Sequence, residues 1–424
     1  MVDLLKDSVS GLRSSKDTST GSGEELRLAR SMAKMGQSGL REVMNLVTRP
    51  GVLSLAVGLP APELFPMDAL AQATTRLLTT DPGSLQYGVP HQPLKSQIVD
   101  LMAMRGVQCS PEQVFLTSGS QQAMDLLCRM LLDPGGQVLI EDVVYDGIQM
   151  AIKRQEPDLL TVSTDPDTGI NVEEVESLLV RGARPCLIYV ITDGHNPLGV
   201  SMSMEKRRRL VDLARNYGVP IIEDDAYGFL YYDRHPEPPL RALDENWVFY
   251  LGSFSKILAP ALRAGWAVVP EALAPHLSML KHAADLDTPS FSHRTISAYL
   301  EAGYLPEHLV GIRDEYRSRR DAMLRALEES FPPEVRWNRP SSGMFVWVEL
   351  PREMDSTVLL RAAVETENVA FTPGAAFAAG GGKQANHCLR LSFGNNPPQR
   401  IEEGVRRLAR VIKAMLPSGD PTRG

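Results

Sequence analysis

Between about Leu70 and Pro270, short β-branched runs alternate with stretches of helical periodicity. The runs are VFLTSG, QVLIED, LTVST, CLIYVIT, VPIIEDD, VFYLGS and GWAVVP, and the stretches between them include SQQAMDLLCRMLL and EKRRRLVDLARNYG. Such alternation favours a mainly parallel sheet, because parallel neighbours need crossover connections that are usually helical. The predicted fold is therefore α/β, with a three-layer large domain whose helices cover both faces of the sheet.

The rest of the chain predicts further segments around this domain. Residues 8–25 are rich in Ser, Thr, Gly and charge and show no apolar period, which indicates a mobile arm. After about Leu300, a long amphipathic helix, the strands GMFVWVEL and CLRLSF and a final helix predict a smaller α+β domain. The predicted divisions are an N-terminal arm over 1–30, a segment joining the small domain over 31–60, the large domain over 61–295 and the small domain over 296–424.

Composition excludes several classes of protein. The net charge of -8 argues against a nucleic-acid binder, and the basic run Lys206–Arg209 is predicted to be a solvated helix face. The four cysteines are scattered and form no CxxC pair, so we expect neither a metal site nor a disulfide framework. No segment reaches the roughly 18 apolar residues of a membrane span, and no export signal opens the chain. We therefore expect a cytoplasmic protein that binds neither membranes nor nucleic acid.

Ligands of open parallel sheets bind at the carboxyl ends of the strands, so the residues that follow each strand are the candidates for a site. Ser118–Gln121 follow VFLT, where small residues and the first amides of a helix could hold a phosphate. A plain helix cap by Ser120 is the alternative. Tyr145 follows QVLIED and could lie over a flat ligand, or could simply be packed.

Two further strand ends carry polar clusters. The turn Asp193–Gly199 follows CLIYVIT and contains Asn196, which could donate a hydrogen bond into the crevice or could serve the turn alone. Glu223, Asp224 and Asp225 follow VPII. Clustered carboxylates there suggest a metal or a cationic ring nitrogen, and the lack of a nearby histidine disfavours the metal.

The last strand end contains a lysine in apolar surroundings. Lys256 follows VFYLGSFS and has Phe254, Ile257 and other apolar residues close by in the sequence. Desolvation lowers the pKa of a lysine and frees its amine to attack an aldehyde. Ser253, Ser255 and Arg263 would suit a phosphate, because arginine offers a fork of donors.

Together these groups meet the requirements of one cofactor, pyridoxal 5'-phosphate (PLP). They offer a phosphate cradle, a ring to stack, a donor for a phenolic oxygen, a carboxylate for a ring nitrogen and an amine for an aldehyde. A carboxylate keeps the pyridine nitrogen protonated, so that the ring can accept electrons from the substrate α-carbon.

The order of these motifs from about Leu53 to Phe393 resembles the fold-type I PLP enzymes of the aspartate aminotransferase superfamily. The strings SGSQQAMDLL, EDDAYGFL and GSFSKILAPALRAGW are most similar to the branch of α-aminoadipate and kynurenine aminotransferases. The resemblance implies an aminotransferase that moves an amino group from an L-amino acid to a 2-oxo acid through aldimine and ketimine intermediates. It also implies a homodimer with shared active sites.

The resemblance assigns roles to individual residues. Lys256 would form the Schiff base and shuttle the proton, Asp224 would pair with the pyridine nitrogen, and Tyr145 would stack on the ring. Asn196 and Tyr227 would bind the phenolic oxygen. The phosphate would be held by Ser120, Gln121, Ser253 and Arg263.

The substrate and the second subunit involve other residues. By resemblance, Arg390 in CLRLSF would clamp the substrate α-carboxylate, with Asn196 beside it. Tyr87 in LQYG would reach the phosphate in the neighbouring subunit. Side-chain specificity would come from residues 38–46 and from Gly58 and Leu59. Arg41 is a candidate contact for an acidic substrate side chain, although a surface role is the alternative.

The sequence also departs from the family pattern. LQYG is followed by VPHQPLK without the usual glycine-bearing turn, Leu198 replaces the usual threonine of the Asn-Pro-Thr-Gly turn, and Asp193-Gly194 replaces the usual proline. These changes leave open a PLP enzyme that decarboxylates or oxidises its amino acid. A PLP-containing transcription regulator is disfavoured, because about 50 residues before Leu53 are too few for a winged helix and linker. The Ser253-x-x-Lys256 pattern of penicillin-binding enzymes lacks its SDN and KTG partners.

Overall fold

A computed structural model describes residues 46–47, 49–286 and 289–416 of the chain. The arm predicted over 1–30 and the candidate residue Arg41 lie outside these residues. The strands are β1 Leu53–Ser54, β2 Val114–Thr117, β3 Gln137–Glu141, β4 Asp158–Val162, β5 Thr164–Asp165, β6 Gly169–Ile170, β7 Leu187–Val190, β8 Ile221–Asp224, β9 Val248–Ser253, β10 Gly265–Val268, β11 Arg336–Trp337, β12 Phe345–Glu349, β13 Val369–Ala370, β14 Thr372–Pro373 and β15 Cys388–Ser392.

The α-helices of the described residues are α1 Met67–Thr80, α2 Gln92–Met104, α3 Ser120–Leu131, α4 Asp146–Ile152, α5 Val172–Val180, α6 Met204–Tyr217, α7 Ala274–Asp285, α8 Ser290–Glu301, α9 Leu305–Ser330, α10 Ser356–Glu367 and α11 Pro398–Met415. Within this part of the chain, no helix combines the length and the apolar character needed to cross a membrane.

A seven-stranded sheet in the order β2-β10-β9-β8-β7-β3-β4 forms the centre of the large domain. The pairs β9-β8, β8-β7, β7-β3 and β3-β4 are parallel, and β10 runs antiparallel to both β9 and β2. All seven runs predicted as strands lie in this sheet. The predicted mainly parallel α/β fold is confirmed, and the antiparallel strand β10 is a feature that the sequence pattern did not indicate.

Successive residues of the central strands pack on opposite faces of this sheet, as the two-residue period of a strand requires. On β7, Tyr189 joins an apolar cluster that contains residues of α3, α4 and α7. Ile188 and Val190 join a different cluster, which contains residues of α5 and α6. Because both faces are covered, the strands consist of almost continuous apolar runs.

A second, four-stranded antiparallel sheet has the order β11-β12-β15-β14. Helices α9, α10 and α11 contribute buried apolar residues to the cluster that also includes residues of β12 and β15. Strand β1 pairs in parallel with β13, with Leu53 opposite Val369. The amino-terminal part of the described chain is therefore paired with the part of the chain predicted as the small domain. The exact domain boundaries stay a prediction.

The basic run in α6 does not form a uniformly solvated face. Arg207 is completely buried and donates to Asp193 Oδ1 at 2.8 Å and to the carbonyl oxygens of Thr192 and Met202 at 3.0 Å each. Arg208, the next residue, is exposed. The prediction is therefore wrong for Arg207, whose charge is buried because Asp193 carries the opposite charge into the same interior position.

We expect Arg207→Met to lower the free energy of unfolding by about 3–5 kcal/mol, because it leaves a buried carboxylate with one cationic partner fewer. The matched control is Arg208→Met, which should change the free energy by no more than about 0.5 kcal/mol. Urea unfolding of both variants measures the difference. Equal stabilities of the two variants would contradict this account of Arg207.

Candidate active site

A cavity of about 420 Å³ opens at the carboxyl ends of β7, β8 and β9, beside the amino termini of α3 and α4. Its lining comprises Gly58, Leu59, Ser120, Gln121, Tyr145, Ile191, Asn196, Asp224, Ala226, Tyr227, Ser253, Ser255, Lys256, Pro260, Arg263, Phe345 and Arg390. Thirteen of these residues are candidates named from the sequence, although they come from segments spread between residues 58 and 390.

Two candidates do not line this cavity. Tyr87 is 81% exposed and lies in a surface groove with Ser118 and Phe291. Within its own chain it does not reach the cavity, which agrees with the expectation that it serves a neighbouring subunit but does not test it. Arg41 lies outside the described residues.

Lys256 presents its amine inside the cavity. The Nζ atom donates to the carbonyl oxygen of Gly58 at 2.9 Å and lies 5.8 Å from the centroid of the Tyr227 ring. Burial, together with the nearby positive charges of Arg390 and Arg263, lowers the pKa of Lys256 to about 8, and Asp224 partly opposes this shift. About a tenth of the amine is therefore uncharged at pH 7 and able to act as a nucleophile.

Asp224 ends β8 and is buried under the cavity. Its Oδ2 atom accepts a hydrogen bond from the Tyr189 hydroxyl at 2.9 Å, whereas its Oδ1 atom has no partner among the described residues. Burial raises the pKa of Asp224 to about 6, and the hydrogen bond from Tyr189 opposes that rise. At neutral pH the group is mainly a carboxylate, with one oxygen left for a cationic ligand.

One end of the cavity combines helix amides with an arginine. Helix α3 begins at Ser120 after Gly119, whose φ of 95° is accessible to glycine. Gly119 therefore occupies the cap position, and the alternative of a cap by Ser120 is wrong. Arg263 lies next to this turn and donates to the Ser118 carbonyl oxygen at 2.9 Å. Free amides at a helix start beside a guanidinium favour an anion such as phosphate.

Gln121 and the two serines differ in what they can offer to such an anion. The Gln121 side-chain amide donates to the Gly147 carbonyl oxygen at 2.9 Å, which leaves its second amide hydrogen and its backbone amide for a ligand. Ser253 accepts a hydrogen bond from the Ser255 amide at 3.1 Å, which leaves its own hydroxyl hydrogen for a ligand.

Three polar groups surround the middle of the cavity. Asn196 uses Oδ1 to accept a hydrogen bond from Arg390 at 2.6 Å, which leaves its amide hydrogens for a ligand. The Tyr227 ring packs edge-on against Phe345, with the ring centroids 5.7 Å apart. Burial raises the pKa of Tyr227, so its hydroxyl stays protonated and can donate. Tyr145 directly precedes α4 and also lines the cavity.

Arg390 is buried and has no carboxylate partner within the described residues. Its guanidinium lies between two aromatic rings, 4.1 Å from the centroid of Phe345 and 4.7 Å from that of Phe377. It also donates to the Ala56 carbonyl oxygen at 2.7 Å, while Nε is left without a partner. Burial lowers the pKa of Arg390 to about 10, so it carries an uncompensated charge at neutral pH. Such a group favours a carboxylate ligand.

A second cavity of about 380 Å³ adjoins the first and shares Gln121, Tyr145, Asn196 and Arg390 with it. The rest of its described lining is Val47, Ala56, Val57, Asp146, Gly147, Met150, Thr372, Ala376 and Phe377. Most of these side chains are apolar, and Asp146 is the single carboxylate among them. A ligand held by Arg390 can therefore extend into a mainly apolar space.

Phe345, Phe377 and Tyr189 were missed by sequence reasoning. Phe345 and Phe377 come from the small-domain part of the chain and contact the site only through the fold, so no strand-end pattern could indicate them. Tyr189 had a detectable signal, because a tyrosine within the apolar run CLIYVIT needs a hydrogen-bond partner when it is buried.

The family follows from comparison with known proteins. A sequence profile of the family described as "Aminotransferase class I and II" matches residues 50–408. The chain belongs to this family. It is 39% identical over 388 residues to aromatic-amino-acid aminotransferase 1 of Thermococcus litoralis, covering 89% of this chain and 92% of that protein. It is 41% identical over 387 residues to 2-aminoadipate transaminase of Thermus thermophilus, covering 89% and 94%.

A solved structure is similar over nearly the same range. The α-aminoadipate aminotransferase LysN of Thermus thermophilus, complexed with N-(5'-phosphopyridoxyl)-L-leucine, has a TM-score of 0.84 and 38% identity, covering 91% of this chain and 97% of that one. The present chain is likewise a PLP-dependent aminotransferase, and its own cavity fits the cofactor. The lone Asp224 oxygen, the Lys256 amine and the anion-binding end beside Arg263 match the ring nitrogen, the aldehyde and the phosphate of PLP.

The pKa of Lys256 gives a testable pH dependence. We expect formaldehyde and cyanoborohydride to methylate Lys256 of the cofactor-free protein with a midpoint near pH 8, because the uncharged amine is the form that reacts. Exposed Lys413, which lies outside the cavity, is the internal control. Peptide mass spectrometry between pH 6 and 11 measures both residues. Identical profiles would show that the cavity does not perturb Lys256.

Proposed function

We propose that this aminotransferase binds and converts first an L-amino acid and then a 2-oxo acid in one site, which is formed by Lys256, Asp224 and Arg390. The observation that supports it is the convergence of three groups on one cavity: an amine of lowered pKa, a carboxylate oxygen without a partner and a guanidinium without a carboxylate. An amino acid and its oxo acid share the α-carboxylate that Arg390 would bind.

The catalytic steps fall to Lys256 and Asp224. When bound, PLP supplies an aldehyde that condenses with amines and a ring that withdraws electrons from the substrate α-carbon. Asp224 would hold a proton at the ring nitrogen through its free oxygen. Lys256 would hold the cofactor between turnovers and would then act as the base that moves the α-carbon proton.

The remaining polar groups would orient the ring and its phosphate. Tyr145 would stack on one face, while Asn196 and Tyr227 would donate to the phenolic oxygen. The phosphate would lie at the start of α3, held by donors from Ser120, Gln121, Ser253, Ser255 and Arg263. The helix amides and the arginine would stabilise its negative charge together.

The substrate carboxylate would bind between Arg390 and Asn196. The rings of Phe345 and Phe377 hold the guanidinium between them, so the fork of donors keeps one orientation. Gly58 leaves room here, because an added Cβ would lie 2.5 Å from the Phe345 ring. The carboxylate therefore sets which face of the α-carbon is presented to Lys256.

We further propose amino donors with apolar or aromatic side chains. The adjoining cavity offers Val47, Met150 and Phe377 to a substrate side chain, and the Asp146 carboxylate would repel an acidic one. One curated relative is an aromatic-amino-acid aminotransferase, whereas another acts on 2-aminoadipate. Arg41 as a contact for an acidic side chain is the competing proposal.

We also propose a cytoplasmic homodimer with shared active sites. Leu85, Tyr87 and Val89 are 72%, 81% and 82% exposed within five residues of sequence, and such a run of apolar side chains favours burial against a second subunit. Residues 85–87 border a groove that includes Ser118, whose carbonyl oxygen accepts a hydrogen bond from Arg263. All four cysteines are free thiols, which suits a reducing compartment.

The donor proposal is tested with the holoenzyme and single amino acids, by following the loss of its cofactor absorbance. We expect kcat/KM for leucine or phenylalanine to exceed that for 2-aminoadipate by about tenfold, the usual gain from filling an apolar pocket. A preference for 2-aminoadipate that Arg41→Ala removes would establish the competing proposal. With 2-oxoglutarate added, glutamate should form in step with donor loss. Carbon dioxide or peroxide without glutamate would instead indicate the alternative chemistry.

Shared sites predict complementation between two defective variants. Lys256→Ala retains Tyr87 and Tyr87→Ala retains Lys256, so a mixed dimer would contain one complete site. We expect mixing, with brief unfolding and refolding, to restore activity above the sum of the two separate variants. The matched control is Lys256→Ala mixed with Asp224→Ala, which should restore nothing because both residues line the same cavity. Full activity of Tyr87→Ala alone would contradict the proposal.

A further inference from the structure

Tyr189 lies on β7, the strand next to β8, and none of its side chain is exposed. Its register partner on β8 is Ile222, so Tyr189 shares a sheet face with Asp224 two residues further on. Its ring packs in the apolar cluster that contains Ile222 and Leu251. An aliphatic residue would fill such a position, and the hydroxyl is the feature that requires an explanation.

The hydroxyl of Tyr189 donates to Asp224 Oδ2 at 2.9 Å. Burial raises the pKa of Tyr189 well above its usual value, so the group stays protonated and remains a donor. A carboxylate bound through one oxygen cannot turn about its terminal bond without breaking that hydrogen bond. The Asp224 side chain is therefore held in one orientation, with Oδ1 as the oxygen left for a ligand.

The other groups that face this pair do not replace the hydroxyl. Asp225 is the neighbouring carboxylate, but it is neutralised by Arg105 at 3.1 Å. Lys256, Tyr145 and Tyr227 face Asp224 from the cavity, and Glu141 faces Tyr189. Among the described side chains, Tyr189 is the one that forms a hydrogen bond with Asp224.

We propose that Tyr189 is a positioning residue, whose hydroxyl orients Asp224 so that its second oxygen meets the ring nitrogen of PLP. The proposal rests on the role proposed above for Asp224. Tyr189 lies beneath the cavity and acts through the carboxylate, since it is absent from the lining. Without the hydroxyl, the carboxylate keeps only its backbone contact with Ala226, so it is less well oriented and holds the ring-nitrogen proton less firmly.

The structure provides a matched control on the strand at the other side of β8. Tyr250 on β9 is also fully buried, and its hydroxyl donates to Asp225 Oδ2 at 2.7 Å. Tyr189→Phe and Tyr250→Phe thus each remove one buried hydroxyl that donates to one of two consecutive aspartates. They differ in whether that aspartate lines the cavity.

The measurement is the ¹⁵N chemical shift of the ring nitrogen in holoenzyme loaded with ¹⁵N-labelled PLP, followed against pH. We expect the ring nitrogen of Tyr189→Phe to lose its proton about one pH unit lower than in the wild type, and PLP to dissociate about tenfold more readily. Tyr250→Phe should match the wild type in both. Equal behaviour of the two variants would overturn the proposal.

Asp224→Ala separates this proposal from the one on which it rests. If Asp224→Ala leaves ring protonation and PLP retention unchanged, the role of Asp224 fails and the role of Tyr189 fails with it. If Asp224→Ala loses ring protonation and PLP retention while Tyr189→Phe behaves like Tyr250→Phe, the role of Asp224 stands and only the role of Tyr189 is excluded. If Tyr189→Phe does not fold, two other variants are compared: Tyr189→His, which keeps a donor on its ring, and Tyr189→Leu, which has none. Equal ¹⁵N spectra of these two variants would also overturn the proposal.

Discussion

The parallel pairing of β7, β8 and β9 is the constraint on which the rest of the site depends. Val190 lies opposite Glu223, and Asp224 lies opposite Leu251, so the three strands end at one edge of the sheet. Neighbouring strands lie about 4.8 Å apart, which brings the segments that follow them within reach of a single small molecule. The apolar interior of the strands keeps this edge rigid, and the polar residues beyond it form the cavity.

Three consecutive carboxylates, Glu223, Asp224 and Asp225, lie at the end of β8. The pleat of the strand directs them to different faces of the sheet, where they meet different partners. Glu223 accepts hydrogen bonds from the amides of Leu240 and Arg241 at 2.7 and 2.9 Å, and Asp225 is paired with Arg105. Asp224 points to the opposite face of the sheet, as alternation along a strand requires. Of the three, Asp224 is consequently the carboxylate that lines the cavity, where its Oδ1 atom is left for a ligand, while its neighbours stabilise the loops beneath the site.

Much of the fold and of the cavity could be predicted from local patterns. The seven apolar runs became strands of one sheet, and most of the thirteen candidates in the cavity came together because polar residues after parallel strands share one edge. Predictions about individual side chains were less successful. Arg207 belongs to a basic run and yet is buried, because its partner Asp193 is contributed by a loop that the helix pattern cannot reveal.

The sequence by itself determined the α/β class and the cofactor, and it named most of the residues that line the cavity, because these depend on period and on the chemistry of strand ends. Tertiary structure decided which groups remain unsatisfied. Phe345 and Phe377 enclose Arg390 from parts of the chain distant in sequence from the central sheet, and Tyr189 occupies one of the two Asp224 oxygens. Whether a buried polar atom is free for a ligand depends on every neighbour that packs against it, and those neighbours are distant in sequence.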